Sequence, residues 1–345
     1  MTVDTGRRGG NYWIFAPLVF LLLLAAAWSV LWFYAARRAE TTVADWLERE
    51  AQSGRTHACA SRSVGGYPFR IEMHCAEPLA QIHGVGQPMT LRAASLLAVA
   101  QIYDPTLVIA ELTGPLRIEQ EGAAPLSVNW KLLQASLRGF PLGFERASVA
   151  IDEPSVSAAD QAGEPLAKAL HIEFHARRRP GEGPLIVDLA STVQSLLLTF
   201  PAQLANKPIE GTIEASVTGL KDFAPQPFNE RLRQWQADGG KLEISRIRFA
   251  QGDVIATAKG ELSLTPQARP EGSLNVTLAG IEQAGALLLG QSSQGRTQAA
   301  LLGGLAMLAG RTELEGRRAI ALPLRVRDGT ISLGPLTLGH VDPLY

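Results

Sequence analysis

The residues whose types and spacing most resemble a metal site are His171, Glu173 and His175. Alternate residues of a β-strand point to one face, so two imidazoles and a carboxylate could bind zinc there with one position open to water. The alternative is the polar outer face of a strand whose other face is apolar. Side chains at i, i+2 and i+4 stand about 7 Å apart and seldom converge on one ion. We therefore favour the outer face and expect no metal and no cofactor.

Familiar catalytic signatures are missing from the sequence. It contains no H-E-x-x-H, no G-x-S-x-G and no Walker A loop. The formal net charge of −1 also provides no global basic field to hold nucleic acid. We expect no catalytic residue, no enzymatic activity and no nucleic-acid partner. A hydrolase with an unrecognised site is kept as a third hypothesis.

Two cysteines, Cys59 and Cys75, lie sixteen positions apart. In an oxidising compartment they would close a loop worth about 3 kcal/mol in the chain-entropy model. Between them, Gly65-Gly66 followed by Pro68 predicts a turn, with a strand returning from Phe69 to Cys75. The alternative is a pair of buried free thiols in a cytoplasmic domain.

An almost unbroken apolar run from Tyr12 to Tyr34 precedes the cysteines. Its 23 residues reach roughly 34 Å as a helix, enough to cross the hydrocarbon core of a bilayer. Aromatic residues at both ends favour the headgroup layer. We predict an uncleaved transmembrane anchor over 12–36, with residues 1–11 in the cytoplasm and the bulk of the chain exported. The alternative is a cleaved signal peptide, for which Ala25 and Ala27 supply a small-residue cleavage pattern.

Beyond the anchor, apolar and polar residues alternate with a period of two along most of the chain. Such alternation is typical of strands with one buried face, and Asp328-Gly329 between two such runs is a strong hairpin signal. We predict a mainly β (α+β) protein: an N-terminal transmembrane helix followed by an extended, curved antiparallel β-sheet body with a few short packing helices. The strands show no fixed sequence period.

The sequence predicts few helices after the anchor and no sharp domain boundary. Residues 37–54 are predicted as a linker helix, and Phe228, Leu232 and Trp235 at helical spacing predict a short helix that ends at Gly239-Gly240. Two further apolar segments are 281–289 and 299–308. A weak division suggests an N-terminal β lobe over 55–220 and a C-terminal β lobe over 221–345, although one continuous sheet would give the same pattern.

The inward sets of successive strands could line an apolar groove that shelters acyl chains. The apolar residues of the chain are mainly aliphatic, and aromatic residues make up only 6% of the sequence. This composition suits a smooth apolar surface. The alternative is a closed core, as in a β-sandwich. The candidate groove residues are Ile213, Ala215, Val217, Val254, Ala256, Ala258, Leu262, Leu264, Leu274, Val276 and Leu278.

Several short segments occur in an order that matches a known family. They are the apolar run followed by A-R-R-A-E, then Cys59, Gly65 to Arg70 and Cys75, later Trp235, Asp238 to Gly240, Gly260 to Leu264, Leu322 to Leu324, Asp328-Gly329, Leu333 to Pro335 and Pro343 to Tyr345. In this order the chain resembles the uncharacterised bacterial family catalogued as domain of unknown function 2125, whose members carry an N-terminal anchor. The resemblance covers nearly the whole chain and implies no activity.

More distantly, the glycine-punctuated strands resemble the AsmA-like envelope proteins. That likeness implies an anchored protein associated with outer-membrane assembly and lipid movement. The first hypothesis is therefore a single-pass protein of the bacterial inner membrane, held through residues 12–36. Its bulk would be periplasmic and would bind or convey lipid or assist envelope assembly. The second is a structural or interaction scaffold of the envelope with a closed core, whose partners are other envelope proteins.

Overall fold

A computed structural model of the chain describes residues 12–83, 87–139, 143–160, 163–181, 185–200, 207–224, 226–280, 310–334 and 336–345. A short 3-10 helix, Tyr12–Phe15, leads into one long helix, α1, Ala16–Gln52. The anchor and the linker helix are thus one continuous helix, and it is long and apolar enough to cross a membrane. The apolar segments 281–289 and 299–308 lie outside the described residues.

The rest of the described chain is almost entirely strand. The predicted short helix is present as α2, Phe228–Ala237, and the mainly β, antiparallel architecture is confirmed. The strands are β1 Arg55–Ala58, β2 Ser61–Gly65, β3 Arg70–Ala76, β4 Leu79–Ile82, β5 Met89–Arg92, β6 Ser95–Gln101, β7 Asp104–Thr113, β8 Leu116–Gln120, β9 Leu126–Asn129, β10 Leu132–Arg138, β11 Arg146–Asp152, β12 Ser155–Ala158, β13 Ala167–Lys168, β14 His171–Arg178, β15 Leu185–Leu198, β16 Ile209–Leu220, β17 Lys241–Gln251, β18 Val254–Leu264, β19 Pro270–Ala279, β20 Gly310–Leu314, β21 Arg317–Arg327, β22 Thr330–Leu333 and β23 Leu336–His340.

These strands form one antiparallel sheet with two walls that meet along a crease. The long wall runs β2-β3-β6-β7-β10-β11-β14-β15-β16-β17-β18-β19-β21, where β20 and β22 both pair with β21, and β23 pairs with β22. The short wall runs β1-β4-β5-β8-β9-β12-β13 and joins the end of β15. Strands β16 and β17 pair along most of their length, so the sheet continues across residues 221–240. The sheet does not close into a barrel.

The chain crosses the crease by bending its strands without losing the backbone ladder. Three non-glycine residues adopt a left-handed conformation there, Glu77 (φ 47°), Glu153 (φ 49°) and Ser195 (φ 51°). A residue of this kind forms a bulge that bends a strand. Ladder hydrogen bonds continue past the bend, from Glu77 N to the Ala94 carbonyl at 3.0 Å and from Glu153 N to the Leu170 carbonyl at 2.9 Å. The two walls are therefore parts of one creased sheet, which we call the trough.

Prolines mark every second crossing of the crease. Pro78, Pro115 and Pro154 each stand where one strand passes from the long wall to the short wall. Their separations are 37 and 39 residues, so this half of the chain has a near-period that strand alternation alone does not show. Proline lacks an N–H and is tolerated in a sheet where pairing is interrupted, which explains its position at the bend.

The Cys59–Cys75 disulfide lies at the start of the crease. Cys59 follows β1 and Cys75 belongs to β3, with the two Cα atoms 5.4 Å apart. The strands β2 and β3 form the predicted hairpin between them. The bond thus joins the first strand of the short wall to the long wall, beside the end of α1.

An ion pair ties the end of α1 to β1. The Arg55 guanidinium donates to both oxygens of the Glu50 carboxylate, with Nε–Oε2 at 2.5 Å and Nη2–Oε1 at 2.9 Å. Glu50 is buried, and its hydrogen bond with Arg55 holds the pKa of the carboxyl below its usual range although burial opposes the shift. Arg55 Nη1 also donates to the Gln226 carbonyl at 3.3 Å. The helix end is thereby fixed to both the first strand and the segment before α2.

Removing the disulfide should destabilise the fold without releasing the membrane helix. The double variant Cys59→Ala/Cys75→Ala is expected to lose about 3 kcal/mol of unfolding free energy, because its unfolded chain is no longer closed into a loop. Guanidinium unfolding of the full chain in detergent, followed by circular dichroism, measures the loss. Reductant should lower the stability of the wild type by a similar amount and leave the variant unchanged. Equal stability of variant and wild type would contradict the prediction.

Glu50→Gln should weaken the fold in a pH-dependent manner. The charged pair is lost, and hydrogen bonds to charged groups contribute about 1.5–3 kcal/mol. Because the folded-state pKa of Glu50 is lowered, its contribution is fully present above the unfolded value of about 4.3 and fades as the pH falls through the folded value. The stability gap between wild type and variant should be widest at pH 7 and shrink below about pH 4. Glu48→Gln, on an exposed position of the same turn, is the matched control.

Candidate functional site

An apolar cavity of about 660 Å³ lies in the crease beneath the end of α1. We call it the crease cavity. The helix contributes Trp46 and its neighbours, the short wall contributes Leu79 and Leu91, and the long wall contributes Leu96 and Leu112. Because both walls line one cavity, the face they share is the concave face of the sheet. The full lining is Val43, Trp46, Leu47, His57, Ala58, Cys59, Arg62, Met73, Cys75, Pro78, Leu79, Ala80, Leu91, Ala93, Leu96, Ala98, Leu112 and Leu116.

Helix α1 covers the cavity because its last turns pack on β1. The Trp46 ring stacks on His57 of β1, with centroids 5.2 Å apart and an interplanar angle of 27°. The ion pair of Glu50 and Arg55 follows one turn later. The same helix that contains the apolar N-terminal run therefore forms the roof of the crease cavity.

An apolar row crosses the concave face of the long wall from end to end. Register places one residue of each of twelve strands side by side, and Ser191 is the single polar member. None of these twelve residues is buried, and Phe174 and Ile213 are 42% and 47% exposed. The row is Met73, Ala98, Ala110, Ala135, Val149, Phe174, Ser191, Ile213, Ile247, Ala258, Val276 and Leu322. Eleven spacings of ~4.8 Å make it roughly 53 Å long.

All of the candidate groove residues lie on this concave face. Ile213, Ala258 and Val276 belong to the row itself. The others stand in the flanking rows, where Ala215 pairs with Ile244 and Val217 with Leu242. Ala215 and Val254 are buried and the rest are half-buried or exposed. The face is thus apolar along its length and only partly covered, and its role as a groove stays a prediction.

A smaller apolar cavity of about 320 Å³ lies under α2 at the other end of the long wall. Leu232 and Trp235 of the helix face Val217 and Leu262 of the sheet across it. The Trp235 indole donates to the Thr218 carbonyl at 2.6 Å. Gly240 lies directly beneath this ring, since a Cβ there would stand 2.2 Å from its Nε1. Glycine is needed at 240 because the indole occupies the space of a side chain.

A third cavity, of about 650 Å³, lies between the end of α1 and the rim of the long wall. Trp46 and Phe144 give it apolar surface, while Arg49 and Arg178 bring positive charge. Both arginines are exposed, and neither forms an ion pair within the described part of the chain. This cavity suits a group that is part apolar and part anionic.

His171, Glu173 and His175 lie on the convex face, as the polar side of β14. The Glu173 carboxylate bridges the two rings, with oxygens 2.9 Å from His171 Nε2 and 3.4 Å from His175 Nε2. His171 Nδ1 is 2.6 Å from an Asp152 oxygen. The hydrogen bond to Glu173, and after it the one to Asp152, raises the pKa of His171 above its usual range. The hydrogen bond to His171 in turn lowers the pKa of Glu173.

These contacts occupy the atoms that a metal would need. With a carboxylate at each ring nitrogen, the protonated form of His171, which donates from both nitrogens, is favoured. Among the described residues, no group of three or more His, Cys, Asp or Glu side chains is arranged to hold a metal ion. The cluster is a hydrogen-bond network on the outside of the sheet.

The sequence predictions missed the crease cavity itself. Its walls come from segments such as β6, Ser95–Gln101, in which Leu97 and Val99 of the convex face are apolar as well. Both faces of this strand are therefore apolar, and the alternation with a period of two that would identify the cavity wall is not visible in the sequence. The proline near-period, Pro78, Pro115 and Pro154, was the available signal.

Comparison with known proteins gives one match. A family described as "Uncharacterized protein conserved in bacteria (DUF2125)" matches residues 32–342. No curated protein and no solved structure matches the chain, and the more distant AsmA-like resemblance is not confirmed. Because the match spans nearly the whole sequence, the chain belongs to the DUF2125 family of bacteria.

Proposed function

We propose that this chain is a membrane-anchored envelope protein that binds lipid acyl chains in its creased trough and has no enzymatic activity. In this proposal α1 crosses the inner membrane and the trough stands in the periplasm. The observation that carries it is the crease cavity, which is apolar, is roofed by the membrane helix and opens onto an apolar row along the long wall.

The size and chemistry of the cavity support a lipid. Small-molecule sites are typically clefts of about 300–1,000 Å³ with mainly apolar walls, and the crease cavity is about 660 Å³. Each buried CH₂ contributes about 0.8 kcal/mol, so an acyl chain gains affinity along its length without specific contacts. Mainly aliphatic walls, with His57 and Arg62 as the polar members of the lining, suit an acyl chain better than a polar metabolite.

The partial exposure of the row supports binding along the trough. In a closed sandwich the inward residues of both sheets are packed against each other. Here the twelve row residues are half-buried or exposed. An apolar surface of this length, only partly covered by the residues that the structure describes, is unfavourable in water, and acyl chains would cover it.

The disulfide supports export of the trough. Disulfides persist in oxidising compartments such as the bacterial periplasm, and Cys59–Cys75 lies on the side of α1 that follows the apolar run. A periplasmic trough and a short cytoplasmic tail are consistent with this placement.

Photo-crosslinking in vesicles tests the proposal on the full chain. The protein is reconstituted with a phospholipid that carries a photoactivatable group near the end of one acyl chain, and crosslinked peptides are mapped by mass spectrometry. We expect crosslinks within 89–98 and 112–116, which contain six residues of the cavity lining and leave out the β6–β7 turn, in addition to the anchor. Crosslinks confined to residues 12–36 would overturn lipid binding and favour the scaffold with other envelope proteins as partners.

Filling the cavity should abolish those crosslinks selectively. Ala98 faces the crease cavity, and Ala98→Trp places an indole where the acyl chain would lie. We expect at least a tenfold loss of crosslinking within 89–98 and 112–116, with anchor crosslinks unchanged. Val99→Trp, the next residue on the convex face of the same strand, should crosslink as wild type. Equal loss in both variants would mean that strand distortion, and not occupation of the cavity, is responsible.

A further inference from the structure

The turn between β2 and β3, residues 65–70, packs against the apolar part of α1. We call this turn the hairpin tip. The indole N–H of Trp28 donates to the Pro68 carbonyl at 2.8 Å, and that of Trp32 donates to the Arg70 carbonyl at 2.8 Å. The Tyr67 hydroxyl lies 2.8 Å from Ser29 Oγ. These contacts join residues about forty positions apart in the sequence.

Chain geometry explains how the hairpin tip reaches this level. From Gln52 back to Trp28, α1 covers roughly 36 Å at ~1.5 Å per residue. Strands β1 and β2 return alongside it from Arg55 to Gly65, which spans roughly 33 Å at ~3.3 Å per residue. The two lengths agree, so the hairpin ends beside the apolar run.

The anchor sets the depth of the hairpin tip relative to a bilayer. Trp28 lies six residues before Tyr34, the end of the apolar run, which is about 9 Å along the helix axis. Arg37 and Arg38 follow, a further ~4 Å or more beyond that end. When the run spans a membrane, the hairpin tip lies on the membrane side of these arginines, near the boundary of acyl chains and headgroups.

Four carbonyl groups of the hairpin tip have hydrogen-bond partners within the protein, as this depth requires. Carbonyl groups in hydrocarbon need internal partners, because no water is available to them. The Gly66 carbonyl accepts from Arg70 N at 2.9 Å, and the Phe69 carbonyl accepts from Ile102 N at 3.2 Å. The Pro68 and Arg70 carbonyls accept from the two indoles, and proline has no N–H to satisfy.

Two side chains of the hairpin tip, by contrast, are aromatic and exposed, and the exposed Arg70 at its end forms an ion pair with Glu72. Tyr67 and Phe69 are 54% and 62% exposed, and Tyr103 in the neighbouring β6–β7 turn is 73% exposed. Trp28 contacts Phe69, with ring centroids 6.1 Å apart. Aromatic rings of this kind favour the interfacial layer of a membrane.

We propose that the hairpin tip and Tyr103 form a second membrane contact, immersed in the headgroup and acyl boundary of the leaflet that faces the trough. The partner is the lipid surface itself. The inference rests on the anchor of the proposed function and not on lipid binding in the crease cavity. Two contacts, the anchor and the hairpin tip, fix the orientation of the trough on the membrane, which a single helix would leave free to tilt.

Spin-label accessibility in vesicles tests this contact on the full chain. Single cysteines are introduced by Phe69→Cys and Tyr103→Cys, with the native pair kept as its disulfide, and the protein is reconstituted in phosphatidylethanolamine and phosphatidylglycerol vesicles. Collisions with oxygen, which enters bilayers, are compared with collisions with a water-soluble nickel chelate. We expect both labels to favour oxygen. Glu121→Cys lies in the β8–β9 turn of the short wall, on the other side of the crease from the hairpin tip. A label there should favour nickel.

Leu22→Cys, within the apolar run, is the internal reference for membrane depth. A nickel-accessible label at 69 and 103, equal to that at 121, would overturn the proposal while leaving lipid binding in the crease cavity untouched. A nickel-accessible label at 22 would show that the run does not span the bilayer and would overturn the membrane contact together with the anchor. Native disulfide formation and wild-type circular dichroism show that each labelled chain is folded.

Discussion

The backbone ladder that continues through the crease is the constraint on which the trough depends. A sheet that bends sharply would leave unpaired N–H and C=O groups at the fold, and each buried one would be costly. Here the left-handed residues Glu77 and Glu153 turn the strand while their own N–H groups donate to the neighbouring strand, and the carbonyl of the proline that follows each of them accepts. Because the ladder is kept, both walls share one apolar face and can enclose a cavity between them.

Helix α1 combines two tasks that follow from its length. Its N-terminal part is exposed and apolar over residues 18–24, whereas Trp32 and Ala36 are buried against the rest of the protein. The C-terminal turns then roof the crease cavity and are fixed by Glu50 and Arg55. The apolar part of the helix is thus rigidly connected to the roof of the cavity, since no loop separates the two parts of the helix.

Much of the candidate site follows from alternation, and the rest is hidden for a physical reason. In β18 and β19 polar residues of the convex face alternate with Ala256, Ala258 and Val276, so the inward set can be read directly. In β6 both faces are apolar and no alternation is visible. In the zinc candidate, His171, Glu173 and His175 share one face of β14, as the sequence indicates, but the second carboxylate at His171 belongs to Asp152 of the neighbouring strand β11.

The sequence by itself determined the long apolar helix near the N-terminus, the antiparallel β architecture, the helix at Phe228–Ala237 and, with only two cysteines present, the disulfide partners. These features depend on composition and on the local period of side-chain direction, which the backbone sets within a few residues. Only the tertiary structure decided where the sheet is creased, that α1 roofs the cavity, and that Trp28 meets Pro68. Those features depend on register between strands and on contacts between distant residues, which no local pattern encodes.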